Sequence, residues 1–99
     1  LSTSANQEDH VSMGATAAWH LFQSTQRLAD ILSCEAIIAC EGLEHHQEKP
    51  GDGVDALYKH VRTLVEPLQG DRSLAGEMAD LANDFLNGIG DESIHPYLE

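Results

Sequence analysis

Hydrophobic and small residues recur at alternating steps of four and three over residues 11–44, a segment without proline. The row consists of Val11, Ala15, Ala18, Phe22, Thr25, Ala29, Leu32, Ala36, Ala39 and Leu43. This spacing is the period of one buried face of an α-helix. A second apolar row lies beside it, at Leu21, Leu28, Ile31, Cys34 and Ile38. Because helices that are apolar over most of their circumference are interior helices, the pattern predicts a long core helix over 11–44.

Turn-forming residues divide the rest of the chain. Pro50 and Gly51 end the first helix and place residues 45–53 in a surface loop. Apolar spacing predicts a second helix over 54–66 and a third over 74–89, with Asp52 and Ser73 as the N-capping residues. No stretch of useful length alternates as a β-strand does. The predicted fold class is therefore all-α, with one long central bundle helix followed by two shorter amphipathic helices.

The predicted first helix is too long for a chain of 99 residues. Thirty-four helical residues span about 50 Å, whereas a compact globule of this chain length is roughly 35 Å across. The 55 residues that follow Glu44 are too few to cover the apolar sides of such a helix. We therefore expect the chain either to assemble with other copies or to belong to a larger polypeptide.

Charge and composition narrow the range of partners. Seventeen acidic residues against five basic ones give a formal net charge of −12. Such a field repels phosphate backbones and anionic lipid, which argues against a nucleic-acid or membrane partner. The sequence opens with no signal-peptide pattern and has no apolar run long enough to span a bilayer, so a soluble, cytoplasmic protein is expected. Cys34 and Cys40 lie six positions apart on a helix, on different sides, and are expected to remain free thiols.

The opening of the chain carries the most specific information. Residues 3–14 read Thr-Ser-Ala-Asn-Gln-Glu-Asp-His-Val-Ser-Met-Gly. Composition alone fits a helix N-terminus, with Asn6 as the cap and Glu8 and Asp9 favoured by the positive end of the helix dipole. The run from Ser4 to Met13 also resembles the signature of the aromatic amino acid lyases, in the form typical of the histidine ammonia-lyase branch. Phenylalanine and tyrosine lyases share the Asn-Gln but usually continue with Asp-Val.

The resemblance continues without a gap to the stretch from Ala39 to Glu44, and Trp19 departs from it, since many relatives have a basic residue there. It implies that residues 1–99 are the C-terminal segment of a larger helical lyase fold, with residues 1–10 as an active-site loop. Enzymes of this family are homotetramers whose long helices pack into a shared bundle. The partners expected for this chain are therefore the remainder of its polypeptide, further copies and a small amino acid substrate.

The implied reaction is elimination of ammonia from L-histidine to give urocanate. The family performs it with a methylidene-imidazolone prosthetic group, formed from an internal Ala-Ser-Gly that does not occur in these 99 residues. The loop whose tyrosine supplies the catalytic base is also expected upstream. The segment alone is therefore expected to be inactive.

The resemblance also assigns roles to individual residues. Gln7 matches a substrate-binding amide of the family. Glu8 matches the catalytic and substrate-binding acid that faces the imidazole in histidine-specific members. Asn6, Asp9 and His10 are expected to support the site by hydrogen bonding.

Three alternatives stay open at this point. The same scaffold can act on tyrosine or phenylalanine, as a lyase or an aminomutase, although the sequence Glu8-Asp9-His10 favours histidine. A different hypothesis is a helical oligomerisation module that catalyses nothing. A metal site at His45 and His46 with nearby glutamates is disfavoured, because adjacent histidines in a Pro-Gly loop suit a tetrahedral site poorly, and no metal is expected.

Overall fold

A computed structural model of the chain describes the backbone of residues 6–88 and 95–97, and the side chains of residues 13–88, 96 and 97. It contains three α-helices, α1 at Asn6–Glu44, α2 at Asp52–Leu64 and α3 at Ala75–Leu86, followed by a 3₁₀ turn at His95–Tyr97. No β-strand occurs in these ranges, so the all-α prediction is confirmed. No described helix is both long enough and apolar enough to span a membrane.

The helix bounds differ from the predicted ones by a few residues, for local reasons. Helix α1 begins at Asn6 rather than Val11, so residues 6–10, assigned to a loop by the sequence, have helical backbone. This start agrees with the capping composition of that segment. The predicted loop residues 1–5 and the end of the predicted third helix at residue 89 lie outside the described residues.

The predicted N-caps of the second and third helices were wrong. Gly51 is the N-cap of α2, and Asp52 lies in its first turn, where its charge favours the helix dipole. Leu74 is the N-cap of α3, and Ser73 only approaches the Ala75 N–H at 3.5 Å.

The ends of these two helices have clear causes. Helix α2 stops at Leu64, two residues earlier than predicted, because Val65 adopts an extended conformation, and Pro67 prevents the helix from continuing. Helix α3 ends at Leu86, and Gly88 has a φ of +115°. Since a left-handed conformation ends a helix and suits glycine, α3 cannot continue through this position.

The hydrophobic core lies where α2 and α3 pack on the C-terminal half of α1. Its buried members are Ile37, Cys40, Val61, Val65 and Leu81, with Tyr58, Met78 and Phe85 among the residues packed around them. Ser33 is also fully buried, and its hydroxyl donates to the Asp30 carbonyl oxygen at 2.7 Å, so its burial leaves no unpaired donor. The face of α1 that the chain covers therefore passes through Ala29, Ser33, Ile37 and Cys40.

The N-terminal half of α1 has no such cover. Among the described side chains of residues 13–28, none is buried. Trp19 and Phe22 stack with ring centroids 5.7 Å apart, yet both remain more than half exposed. Most of the second apolar row is also open, since Leu21, Leu28, Ile31 and Ile38 are 54–71% exposed. The radius of gyration, 18.8 Å, exceeds the value of about 13 Å for a compact chain of this length, and the long axis measures 64 Å.

Helix α2 is held against the end of α1 by one guanidinium, that of Arg62, whose side chain is 11% exposed. Arg62 Nε donates to Glu44 Oε1 at 3.2 Å, and Nη2 donates to Glu41 Oε1 at 3.3 Å. The same Glu41 oxygen accepts the Leu68 N–H at 2.9 Å, which fixes the turn after α2. Both carboxylates lie in the last turn of α1, at the negative end of the helix dipole, so a buried cation there is favoured. We call Glu41, Glu44, Tyr58 and Arg62 the clasp.

Tyr58 completes the clasp. Its hydroxyl donates a hydrogen bond to Glu44 Oε1, and Arg62 lies 5.5 Å from the centroid of its ring. The hydrogen bond from Tyr58 lowers the pKa of Glu44, and the same contact with the carboxylate raises the pKa of Tyr58. Both directions favour the pair as it stands, a charged carboxylate and a neutral phenol.

We predict that the 99-residue chain, prepared by itself, associates in solution. Its first helix exposes more apolar surface than α2 and α3 cover, and burial of that surface is the dominant driving force for association. Multi-angle light scattering over a concentration series is expected to give a mass that rises above that of one chain. A monomeric mass at the highest concentration would contradict the prediction.

We predict that Arg62→Ala lowers the free energy of unfolding by about 1–3 kcal/mol, because it leaves Glu41 and the Val65 carbonyl without a charged donor. Chemical denaturation followed by circular dichroism, at one fixed protein concentration, measures the change. The matched control is Lys49→Ala, since Lys49 is 69% exposed and 4.0 Å from its carboxylate partner, and is expected to change little. Equal effects of the two substitutions would show that the clasp is not a stabilising contact.

Candidate active site at the head of helix α1

The residues that the sequence singled out lie together at the start of α1. The backbone of Asn6, Gln7, Glu8, Asp9 and His10 forms the first turns of this helix, and their side chains lie outside the described part of the chain. We call residues 6–10 the head of α1. The first backbone N–H groups of a helix lack partners within it and form the positive end of its dipole, which favours anionic groups at such positions.

The head lies far from the core of this chain. Ala29, the first buried position among the described side chains of α1, lies nineteen positions after His10. At 1.5 Å per helical residue this distance is about 28 Å along the axis. The core that α2 and α3 build on α1 therefore begins well beyond the head, and any pocket around the head needs walls from elsewhere.

The described cavities lie at the other end of the molecule. A cavity of about 540 Å³ opens in the turn between α2 and α3 and is lined by Glu66, Pro67, Gln69, Gly70, Asp71 and Arg72. Its one cation is already engaged, because Arg72 Nη2 donates to the Glu66 carbonyl at 2.7 Å and Nη1 pairs with Glu77. This cavity is a surface depression formed by the turn, and its lining offers no unengaged cation to hold an anionic ligand.

The cysteines are free, as the sequence predicted, but their surroundings differ. Cys40 is buried, and this burial raises the pKa of its thiol, although Arg62 acts in the opposite direction. The sequence showed no cation near Cys40 because Arg62 lies 22 positions away and approaches only through the fold. Cys34 is half-buried rather than buried, since it lies away from the face that α2 and α3 cover.

The histidines whose side chains are described fall into two groups. His20, His45 and His46 are exposed. His60 on α2 is mostly buried and lies 2.6 Å from Asp84 Oδ2 on α3, so it ties these two helices together. Among the described side chains, no three His, Cys, Asp or Glu residues come close enough to hold a metal ion.

Sequence reasoning missed the clasp, although the chain contains a signal for it. Glu41 and Glu44 are three residues apart on α1, and Tyr58 and Arg62 are four apart on α2. Residues at these spacings share a helix face, so the two pairs could have been recognised as two complementary surfaces. Nothing in the sequence, however, specifies that these two faces meet.

Comparison with known proteins places the chain in a family. The family model for the aromatic amino acid lyases matches residues 1–63. The histidine ammonia-lyase of Deinococcus radiodurans is 43% identical over 88 residues, which cover 89% of this chain and 17% of that enzyme. The histidine ammonia-lyase of Symbiobacterium thermophilum is 40% identical over 89 residues, and the probable histidine ammonia-lyase of Halobacterium salinarum is 34% identical over 95.

The chain thus spans about a sixth of the length of these relatives. No solved structure matches the chain. The resemblance predicted from residues 4–13 is confirmed, and the match extends well past the head into α2. On the evidence of its sequence, this chain belongs to the aromatic amino acid lyase family.

Proposed function

We propose that this chain is the C-terminal part of a histidine ammonia-lyase, an enzyme that eliminates ammonia from L-histidine to give urocanate. The observation that carries the proposal is 34–43% identity to proteins named histidine ammonia-lyase over most of the chain. The sequence Glu8-Asp9-His10 in the head of α1 supports histidine over tyrosine or phenylalanine as the substrate.

In this proposal Glu8 is the residue that selects the substrate. A carboxylate accepts a hydrogen bond from the imidazole N–H of histidine, orients the ring and leaves a phenyl ring without an equivalent contact. A site built to hydrogen-bond a polar ring rejects an apolar one, because its buried acceptor would then be left unpaired. Gln7 offers an amide that can donate to the substrate carboxylate, and Asn6, Asp9 and His10 support this arrangement.

The electrophile of the reaction is not encoded in this segment. A methylidene-imidazolone needs an Ala-Ser-Gly, which is absent from the 99 residues, so the rest of the polypeptide would supply the group that activates the substrate for loss of ammonia. The fold is compatible with this division, because the head lies about 28 Å along α1 from the core that α2 and α3 build. No metal takes part in the proposed reaction.

The proposed assembly is a cytoplasmic homotetramer with long helices in a shared bundle. The exposed apolar surface of α1 supports it, since a helix of 39 residues that α2 and α3 cover on only one face of its C-terminal half offers its other apolar surface to neighbours outside the chain.

The test of the function is an assay on the full-length polypeptide that contains this chain. Incubated with L-histidine, it is expected to release ammonia and urocanate in equal amounts, followed by a coupled ammonia assay and by urocanate absorbance. The 99-residue chain at the same concentration is expected to release neither. Ammonia from tyrosine or phenylalanine but not from histidine would reject the substrate and keep the family, and no release from any of the three would reject the lyase proposal.

In the full-length polypeptide we predict that Glu8→Ala reduces kcat/KM for histidine at least about tenfold, since loss of a hydrogen bond to a charged group weakens transition-state binding by about 1.5–3 kcal/mol. The melting temperature is expected to change little. Glu8→Gln keeps an acceptor oxygen without the charge, and its kcat/KM is expected to lie between those of the wild type and Glu8→Ala. Glu48→Ala, in the exposed loop after α1, is the matched control for loss of one carboxylate. Kinetics of Glu8→Ala that equal those of the control would remove Glu8 from the site.

A further inference from the structure

One face of α1 is left entirely open by this chain and has the spacing of a coiled-coil seam. Its eight positions alternate steps of four and three and are all exposed: Ala17, Leu21, Ser24, Leu28, Ile31, Glu35, Ile38 and Gly42. We call this set the far seam. At 100° per residue it lies roughly opposite the face of Ala29, Ser33 and Ile37 that packs on α2 and α3, so those two helices cannot reach it.

The far seam is long enough to direct helix pairing. It runs for 26 residues, close to four heptads and about 38 Å, which is the length at which an apolar repeat of 3.5 residues indicates a coiled coil. Its apolar members are among the most exposed large side chains of the chain, at 69% for Leu21 and 71% for Ile38. A Cβ atom built on Gly42 meets nothing within 4 Å, so the packing of this chain does not require a glycine there.

The seam is complementary to itself when a second copy runs antiparallel to the first. A two-fold axis between Leu28 and Ile31 places Leu28 of one copy opposite Ile31 of the other. The same axis places Leu21 opposite Ile38, so every large apolar residue meets another. This is the pairing of unlike core positions that antiparallel helices adopt.

The polar and small members support the same register. Glu35 then lies opposite Ser24, a hydroxyl that can donate to it, and Ala17 lies opposite Gly42, which allows close approach. A parallel pairing in register would instead place Glu35 against Glu35 in an apolar seam, which is unfavourable. For a chain with a net charge of −12, a contact that avoids facing like charges is strongly preferred.

We propose that the far seam is the contact between two copies of this chain, packed as an antiparallel pair about a two-fold axis between Leu28 and Ile31. The inference rests on the proposed homotetramer and specifies one of its helix contacts. It identifies the partner as a second α1, and it leaves the face of Trp19 and Phe22 to other parts of the assembly.

Directed cross-linking tests the register. Two variants of the 99-residue chain, Leu21→Cys and Ile38→Cys, are made with Cys34→Ser to remove the half-buried thiol, while buried Cys40 is kept. The two proteins are mixed, dissociated by dilution, reconcentrated and treated with a short bis-maleimide. The mixture is expected to give a covalent dimer on denaturing gels, whereas either variant alone gives no more than the Cys34→Ser parent.

Controls separate the alternatives. The same experiment with Thr16→Cys and Arg27→Cys, two exposed polar positions beside the seam, is expected to give only the background. If either substitution prevents folding by circular dichroism, Ser24→Cys mixed with Glu35→Cys probes the same register, since each of these positions lies about 16 Å along the axis from its own copy. Dimers from single variants alone would establish a parallel pair and overturn the proposal. Helical proteins that give no dimer in any mixture would also overturn it.

The full-length polypeptide carries the same cysteines in a parallel experiment. Cross-linking in the full-length protein does not depend on ammonia release. Normal ammonia release without the cross-link would reject the antiparallel pair alone, whereas the cross-link without ammonia release would reject the proposed function alone.

Discussion

The structure depends on the mismatch between one helix and the chain that accompanies it. Helix α1 has 39 residues and is apolar on two sides, whereas α2 and α3 together contribute 25 residues and cover only one face of its C-terminal half. Burial of apolar surface is the main stabilising term in folding and in association. The remaining apolar surface of α1 is therefore available for contacts outside this chain, and this surface is the physical basis for proposing that the segment belongs to a larger body.

The clasp positions α2 and the turn after it on the C-terminal half of α1. Arg62 joins two carboxylates at the end of α1, and one of them also accepts the backbone N–H of Leu68. This arrangement sets the direction in which α2 leaves the loop and fixes the turn that leads into α3. His60 and Asp84 then join α2 to α3. The polar contacts thus lie around the small apolar core. They specify how the three helices are arranged, which hydrophobic burial alone would define less well.

The parts of the fold that the sequence predicted are those that local periodicity encodes. The three helices follow from apolar spacing, and their ends from glycine and proline, to within a few residues. Which side of α1 is covered was not predictable in the same way, because the helix is apolar on two sides and periodicity cannot rank them. Ser33 and Ile37 are buried, whereas Leu21 and Ile38 are open. The head of α1 was identified from the resemblance of its residues, and no apolar pattern would have distinguished it from an ordinary helix start.

Helix α1 connects the head to the clasp as one continuous element. Glu8 and Glu41 are 33 residues apart, about 50 Å along a helix with no proline between them. A change in charge at the head is therefore too distant to alter the core at Ile37 and Leu81, and the clasp can influence the head only by fixing the end of the helix. In the proposed enzyme, chemistry and local stability are therefore separated by distance within this segment. Glu8, as the proposed substrate-binding acid, could then be varied without weakening the helix packing at Ile37 and Leu81.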